Sequence, residues 1–158
     1  MGEADYQIET WRQDFPTSDH KDTETIYLRT VESLTLDAVF NDLKAVSRPI
    51  LRDQPYLRYK LLELMRKIQG AELGRAMIVK LKAGGIITPH ADTGDYPEYY
   101  NRYHLPLISP EGCMFTVGDT TMNMREGLLY LIDNQQVHSV HNDSDTDRIH
   151  LIVDIKPI

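Results

Sequence analysis

The stretch Arg148-Ile149-His150-Leu151-Ile152-Val153-Asp154-Ile155 alternates in a period of two. In an extended chain successive side chains point to opposite faces. Arg148, His150, Ile152 and Asp154 therefore share one face, and Ile149, Leu151, Val153 and Ile155 share the other. This is the pattern of a strand, and its polar face admits two readings. Either it is solvated while the apolar face meets a core, or it lines a barrel interior that holds an anionic ligand. Arginine suits the second role because its planar fork binds carboxylates through two donors.

Short runs rich in β-branched and aromatic residues recur at 75–81, 102–108, 113–117, 120–124, 127–132 and 137–142, with a further one at 25–29. Turn formers separate them, among them Ala83-Gly84-Gly85, Ser109-Pro110-Glu111-Gly112 and Gly118-Asp119, the last resembling a tight hairpin. Many short strands with regular turn signals predict a mainly β fold, a jelly roll of about eight strands. Two segments have helical periodicity instead. Residues 34–47 place Leu36, Val39, Phe40, Leu43 and Val46 on one face, with Ser33 or Thr35 as cap and Pro49 as stop. Residues 55–69 place Leu57, Leu61, Leu64, Met65 and Ile68 on one face and end at Gly70. The expected organisation is one domain over 1–158: a strand and helical support layer in 1–73, then the β core in 74–158.

Composition narrows the function classes. The 158 residues carry 17 Lys+Arg against 24 Asp+Glu, a net charge of −7, which argues against a phosphate-backbone surface and so against nucleic acid. No apolar run approaches the roughly 20 residues of a membrane span, and Met1-Gly2-Glu3-Ala4-Asp5 lacks a signal-peptide pattern. Cys113 is the single cysteine, so no intrachain disulfide can form. A soluble cytoplasmic single-domain protein is expected, and composition does not say which kind.

Six histidines, His20, His90, His104, His138, His141 and His150, concentrate in the β-rich half. In an extended Pro89-His90-Ala91-Asp92 an imidazole and a carboxylate project together, a pair suited to a first-row divalent metal. One more histidine would complete two His and one carboxylate, the facial triad of non-haem Fe(II) oxygenases. His138 and His141 lie three apart and so face opposite ways in a strand; periodicity does not choose between them. If Asn142 faced Arg148 across a hairpin, His138 and Arg148 would lie about 13 Å apart at Cα. That separation leaves room for a short dicarboxylate bound at one end by metal and at the other by Arg148.

Several motifs then occur in order: Gly74-Arg75-Ala76-Met77, Pro89-His90-Ala91-Asp92-Thr93-Gly94, Asn101-Arg102-Tyr103-His104-Leu105-Pro106-Leu107, Gly112-Cys113, Glu126-Gly127, Asp133-Asn134, Val137-His138-Ser139-Val140-His141-Asn142 and Asp147-Arg148-Ile149-His150-Leu151-Ile152-Val153-Asp154. Together they resemble the aspartyl/asparaginyl β-hydroxylase family of Fe(II)/2-oxoglutarate-dependent dioxygenases, well over 72–156 and more loosely from Gln13 onward. The resemblance implies a double-stranded β-helix, a cupin-like jelly roll. It implies His90, Asp92 and His138 as iron ligands, which selects His138 over His141, and Arg148 as the partner of the far carboxylate of 2-oxoglutarate. Arg102 and His104 match positions near cosubstrate or substrate carboxylates. Fe(II), 2-oxoglutarate and O2 are the implied cofactors, with succinate and CO2 as co-products of hydroxylating an amino acid, a peptidyl residue or a related small molecule. The animal peptide hydroxylase of the family lacks a carboxylate at the Asp92 position; the free-proline hydroxylases have one. The latter carry further C-terminal sequence, so a cap over the substrate is expected to be missing from a chain that ends at Ile158.

Substrate recognition is expected in the loop 93–101 through Tyr96, Tyr99 and Tyr100, with an exposed loop whose tyrosines pack locally as the alternative; Tyr6 and Trp11 read first as a tail packing on the barrel and otherwise as further wall residues. Cys113, Met122 and Met124 read as packing residues. The competing assignment is a cupin-like metalloprotein, an isomerase or binding module without oxidative turnover, since one barrel serves many functions.

Overall fold

The computed structural model describes residues 11–14 and 18–158; the expectation for Tyr6 and the Trp11 side chain lies outside the described residues. In chain order the elements are α1 (Trp11–Asp14), β1 (Thr23–Thr30), α2 (Leu36–Asn41), β2 (Val46–Ser47), α3 (Pro49–Arg52), α4 (Pro55–Lys67), β3 (Gly70–Leu81), β4 (Ile86–His90), α5 (Asp95–Tyr99), β5 (Asn101–Ile108), β6 (Cys113–Val117), β7 (Thr120–Met122), β8 (Tyr130–Ile132), β9 (His138–Asn142) and β10 (Arg148–Pro157). They form a six-stranded sheet in the order β2-β1-β3-β10-β5-β8 and a four-stranded sheet in the order β4-β9-β6-β7. The pairings in both are antiparallel.

The alternation in β10 positions the whole interior. Its apolar face, Leu151, Val153 and Ile155, joins Ile26, Leu28, Ala76 and Ile78 of the neighbouring strands and meets Leu51 of α3 and Leu61 of α4. Its polar face is buried as deeply: Arg148, His150 and Asp154 are each 1% exposed. The solvated reading of that face is overturned, because the helices cover one side of the large sheet and the small sheet covers the other. Leu81, Ile87, Cys113, Phe115, Met124, Ile132 and Val140 form the apolar part of that inter-sheet space.

The α4 helix follows its periodic stripe, but its end differs in cause from the expectation. Gln69, at φ 56°, makes the left-handed turn, while a Cβ on Gly70 would sit 2.2 Å from Ile155 Cγ2. Glycine is needed there for close approach to β10, not as a helix cap. Thr35 caps α2 as expected, accepting from the Ala38 N–H. The predicted helix over 34–47 is nevertheless halved, because Val46–Ser47 pairs with the edge of β1. Arg29 enforces this, donating to Ser47 Oγ (2.9 Å), to the Ala45 carbonyl (2.9 Å) and to the carbonyls of Leu73 and Gly74. The hairpin at 118–119 forms with Val117 opposite Thr120 and Gly118 at φ 52°, as a two-residue turn of this hand requires.

One register expectation fails. Asn142 pairs with Cys113 and Arg148 with Leu81, so β9 and β10 lie in different sheets and do not form a hairpin. The segment between them crosses from one sheet to the other. Asn142 holds it, donating to the carbonyls of Lys82 (3.0 Å) and Thr146 (2.9 Å) and accepting from Ser144 Oγ (2.7 Å).

Leu61, 1% exposed, joins α4 to the sheet, whereas Tyr59 on the same helix is 58% exposed. Leu61→Ala should lower unfolding free energy by about 2–5 kcal/mol and Tyr59→Ala by about 0.5 kcal/mol or less, as read from urea denaturation.

Candidate metal centre

β4 is the edge strand of the small sheet, and its pairing with β9 shifts register between Ile87↔Val140 and His90↔His138. Pro89 lies within the shifted stretch. Proline has no N–H to give a ladder and is confined to edges and bulges of this kind. The shift sets His90 directly across from His138, with ring centroids 4.4 Å apart. His138 shares the inner face with buried Val140, while His141 is exposed and points to Asp143 at 3.8 Å.

Both imidazoles are held the same way. His90 Nδ1 lies 2.8 Å from the Thr88 carbonyl and His138 Nδ1 2.9 Å from the Gln136 carbonyl. A carbonyl can only accept, so each Nδ1 carries the proton and each Nε2 keeps its lone pair for a metal. Asp92, just beyond β4, brings Oδ1 to 3.9 Å from His90 Nε2. One ligand atom from each of His90, Asp92 and His138 lies within 4.8 Å of the others. This donor set fits a divalent first-row ion. Burial lowers the His138 pKa and so favours the neutral ring that a metal requires.

The Asp92 carboxylate is itself fixed. Its Oδ2 accepts from Asn134 Nδ2 (2.7 Å) and from Arg102 Nη1, and its backbone N–H donates to the Asn134 carbonyl. Arg102 in turn donates through Nε and Nη2 to both oxygens of Asp154, at 2.8 and 3.0 Å. Burial works against the Arg102 charge, but Asp154 and Asp92 outweigh it and hold the pKa above its usual value.

A second polar group lies deeper. Arg148 is buried, and burial lowers its pKa to about 10. Its Nη2 lies 2.7 Å from His150 Nδ1, and among the described residues no carboxylate comes within ion-pair distance of it. Phe115 spans the gap to the metal-competent trio: its ring stacks on His138 at 6.3 Å and has the Arg148 guanidinium 6.0 Å from its centroid. His104 abuts Phe115 edge-on at 5.4 Å and brings its Nδ1 to 3.3 Å from His150 Nδ1. Cys113 is buried nearby, as expected for a packing residue, and burial raises its thiol pKa. Met124 also packs in the core, whereas Met122 is exposed.

A cavity of about 420 Å³ opens onto His90, Asp92 and Arg102. Leu36, Val39 and Phe40 of α2 form one wall, and Met77, Arg75 and Tyr96 another. Arg75 also holds α2 in place, donating to the carbonyls of Val39 (2.7 Å), Ala38 (3.2 Å) and Asp42 (3.0 Å) at its C-terminal end, where a cation is favoured. Gly94, at φ 101°, lets the metal-side loop approach α2, since a Cβ there would lie 2.6 Å from the Phe40 carbonyl.

Of the three tyrosines expected to meet substrate, Tyr96 lines the cavity, accepting from the Arg75 N–H and stacking 3.5 Å beneath its guanidinium. Tyr99 and Tyr100 turn instead to Glu72, at 3.2 and 3.0 Å. The cause is α5: a helical turn fans consecutive side chains apart where a loop reading kept them together. Sequence reasoning missed Asp154 and Asn134 as supports of the metal side, although Asp154 lay on the Arg148 face of the alternation. It also missed His20, whose ring lies 4.9 Å from that of His90, and the α2 wall. No local signal marks those two.

His104, His138 and His150 all have pKa values lowered by burial. Unfolded, each takes up a proton near pH 6.5 that the folded chain refuses, so stability is intact above that pH and falls below it. The metal-free protein should lose stability as pH falls below about 6.5, by at most about 1.4 kcal/mol per pH unit for each group that stays unprotonated in the folded chain, measured from urea midpoints between pH 7.5 and 5.

Among the described residues no helix is long and apolar enough to cross a membrane. The aspartyl/asparaginyl β-hydroxylase family matches residues 46–157. The L-proline cis-4-hydroxylase of Rhizobium meliloti (strain 1021) is 30% identical over 118 residues, 75% of this chain and 41% of that protein, so the chain spans less than half the length of this curated relative. An oxidoreductase of the 2OG-Fe(II) oxygenase family from Burkholderia pseudomallei shares the fold with a TM-score of 0.60 and 15% identity, over 85% of this chain and 68% of that one. The expected jelly roll is the observed fold, and the chain belongs to the aspartyl/asparaginyl β-hydroxylase family.

Proposed function

We propose that this chain carries the core of an Fe(II)/2-oxoglutarate-dependent hydroxylase, with His90, Asp92 and His138 as the metal ligands and Arg148 as the partner of the far carboxylate of 2-oxoglutarate. The observation that carries the reading is Arg148: a buried guanidinium that meets no carboxylate among the described residues, joined through Phe115 to a trio of metal-competent side chains. A buried cation is costly unless it is paired, and a dicarboxylate bound between metal and Arg148 supplies the pair. When bound, Fe(II) with O2 supplies the oxidation, in which 2-oxoglutarate yields succinate and CO2 and a substrate C–H becomes C–OH.

The protein's own work is placement. The Thr88 and Gln136 carbonyls set the histidine tautomers. Asn134 and Arg102 orient Asp92. Because Arg102 is already engaged by two carboxylates, we assign it to the metal side and leave the cosubstrate to Arg148 with His104 beside it. The substrate, an amino acid, a peptidyl residue or a related small molecule, would occupy the cavity against α2, where Leu36, Phe40 and Tyr96 face the metal side chains. The protein of Rhizobium meliloti named as a proline hydroxylase supports this class of substrate.

Calorimetry without oxygen, using Mn(II) in place of Fe(II), should show 2-oxoglutarate binding to the metal-loaded protein. Arg148→Met should weaken that binding by at least about 30-fold, the cost of removing one partner of a buried charge pair, while Mn(II) still binds. No binding of 2-oxoglutarate by the loaded wild-type protein would sink the reading. Asn134→Ala should weaken Mn(II) affinity by about 10–100-fold, as loss of a ligand's supporting hydrogen bond does. With Fe(II) and O2, succinate release across amino acid and peptide panels, with a one-oxygen mass gain, would identify the substrate.

A further inference from the structure

We propose that His150 is a positioning residue that fixes the Arg148 guanidinium while leaving its charge available to an anion. The inference rests on the cosubstrate role of Arg148 proposed above. Arg148, His150 and His104 form a buried cluster of basic groups, 1%, 1% and 5% exposed, and among the described residues no carboxylate pairs with any of them. Such a cluster has a determined proton arrangement.

A guanidinium has donors only. His150 Nδ1, 2.7 Å from Arg148 Nη2, must therefore present its lone pair. The ring is neutral, since burial and the adjacent Arg148 charge both oppose a second proton. Its one proton then sits on Nε2, which is buried and has no partner. His104 Nδ1 lies farther from His150 Nδ1, at 3.3 Å, so Arg148 is the nearer claimant on its single lone pair. Arg148 and His150 are two apart on β10 and project from one face, so the contact is built into a single strand and needs no loop to form it.

The chemistry explains why a histidine stands here. An aspartate or glutamate would also hold Arg148, but would neutralise it and compete with the carboxylate of a ligand. A neutral imidazole nitrogen orients Nη2 without cancelling the charge, and Nη1 has no hydrogen-bond partner among the described residues. His150 thus keeps the receptor both oriented and cationic before a ligand arrives, the preorganisation that strengthens binding.

Three variants of the Mn(II)-loaded protein test this by calorimetry with 2-oxoglutarate, and with oxalate, which has the chelating end without a distal carboxylate. His150→Leu, which removes the acceptor, should weaken 2-oxoglutarate about tenfold, one hydrogen bond to a charged group. His150→Asp should weaken it at least about 100-fold by pairing with Arg148. His150→Gln, which restores an uncharged acceptor, should bind within about threefold of wild type. Oxalate affinity should be unchanged in all three. If 2-oxoglutarate and oxalate affinities fall together, or if Leu and Gln behave alike, His150 has no positioning role. A ligand-free check is the long-range proton–nitrogen NMR spectrum of the metal-free protein: the proton should be on His150 Nε2, and a protonated Nδ1 overturns the inference. Absence of 2-oxoglutarate binding by wild type would instead remove the reading beneath it.

Discussion

Arg102 ties the two sheets together at the metal end. It leaves the start of β5 in the large sheet, grips Asp154 directly across on β10, and reaches Asp92 beyond β4 of the small sheet. The rest of the centre depends on this bridge, because Asp92 is the one metal-competent group that no strand fixes. His90 and His138 are placed by β pairing and by backbone carbonyls. Asp92 is placed by its backbone bond to Asn134 and by side chains, among them a half-buried ion pair with two acids around one cation. The guanidinium geometry matters here, since one planar fork must serve two carboxylates at once.

The inter-sheet space is consequently divided by charge. At one end, Arg102 is matched by carboxylates. At the other, Arg148 is surrounded by neutral imidazoles and Phe115. Fold and chemistry share one cause in β10. Its apolar face secures α3 and α4, and its polar face supplies both Asp154 and Arg148. A single strand with a period of two therefore carries the core and both ends of the site.

That strand is also why so much was legible in the sequence. The alternation of 148–155 sorted the residues onto their two faces but left open whether the polar one was inside, and His-x-Asp marked two of the metal-competent groups while the resemblance chose His138 over His141. What the sequence could not convey was partner choice. The 34–47 stripe has helical spacing throughout, yet Arg29, distant in sequence, grips the Ala45 carbonyl and Ser47 and holds Val46–Ser47 as an edge strand. The polar turn after Asn142 has the composition of a hairpin, but Asn142 side-chain bonds carry it across to the other sheet. The register shift beside Pro89 is likewise invisible as a distance until β9 lies beside it. In each case tertiary hydrogen bonds outweigh a local preference worth only fractions of a kcal/mol per residue.

The α2 helix shows where this architecture leaves room for change. It buries none of its own residues, and it stays on the barrel through Arg75 and the close approach of Gly94 to the Phe40 carbonyl. Those anchors act on its backbone, while Leu36 and Phe40 face the cavity with side chains that support nothing beneath them. The two requirements on this segment, to stay docked and to shape what enters, thus fall on different atoms. Exchanging the cavity-facing side chains would therefore reshape the cavity while leaving intact the hydrogen bonds that dock the helix.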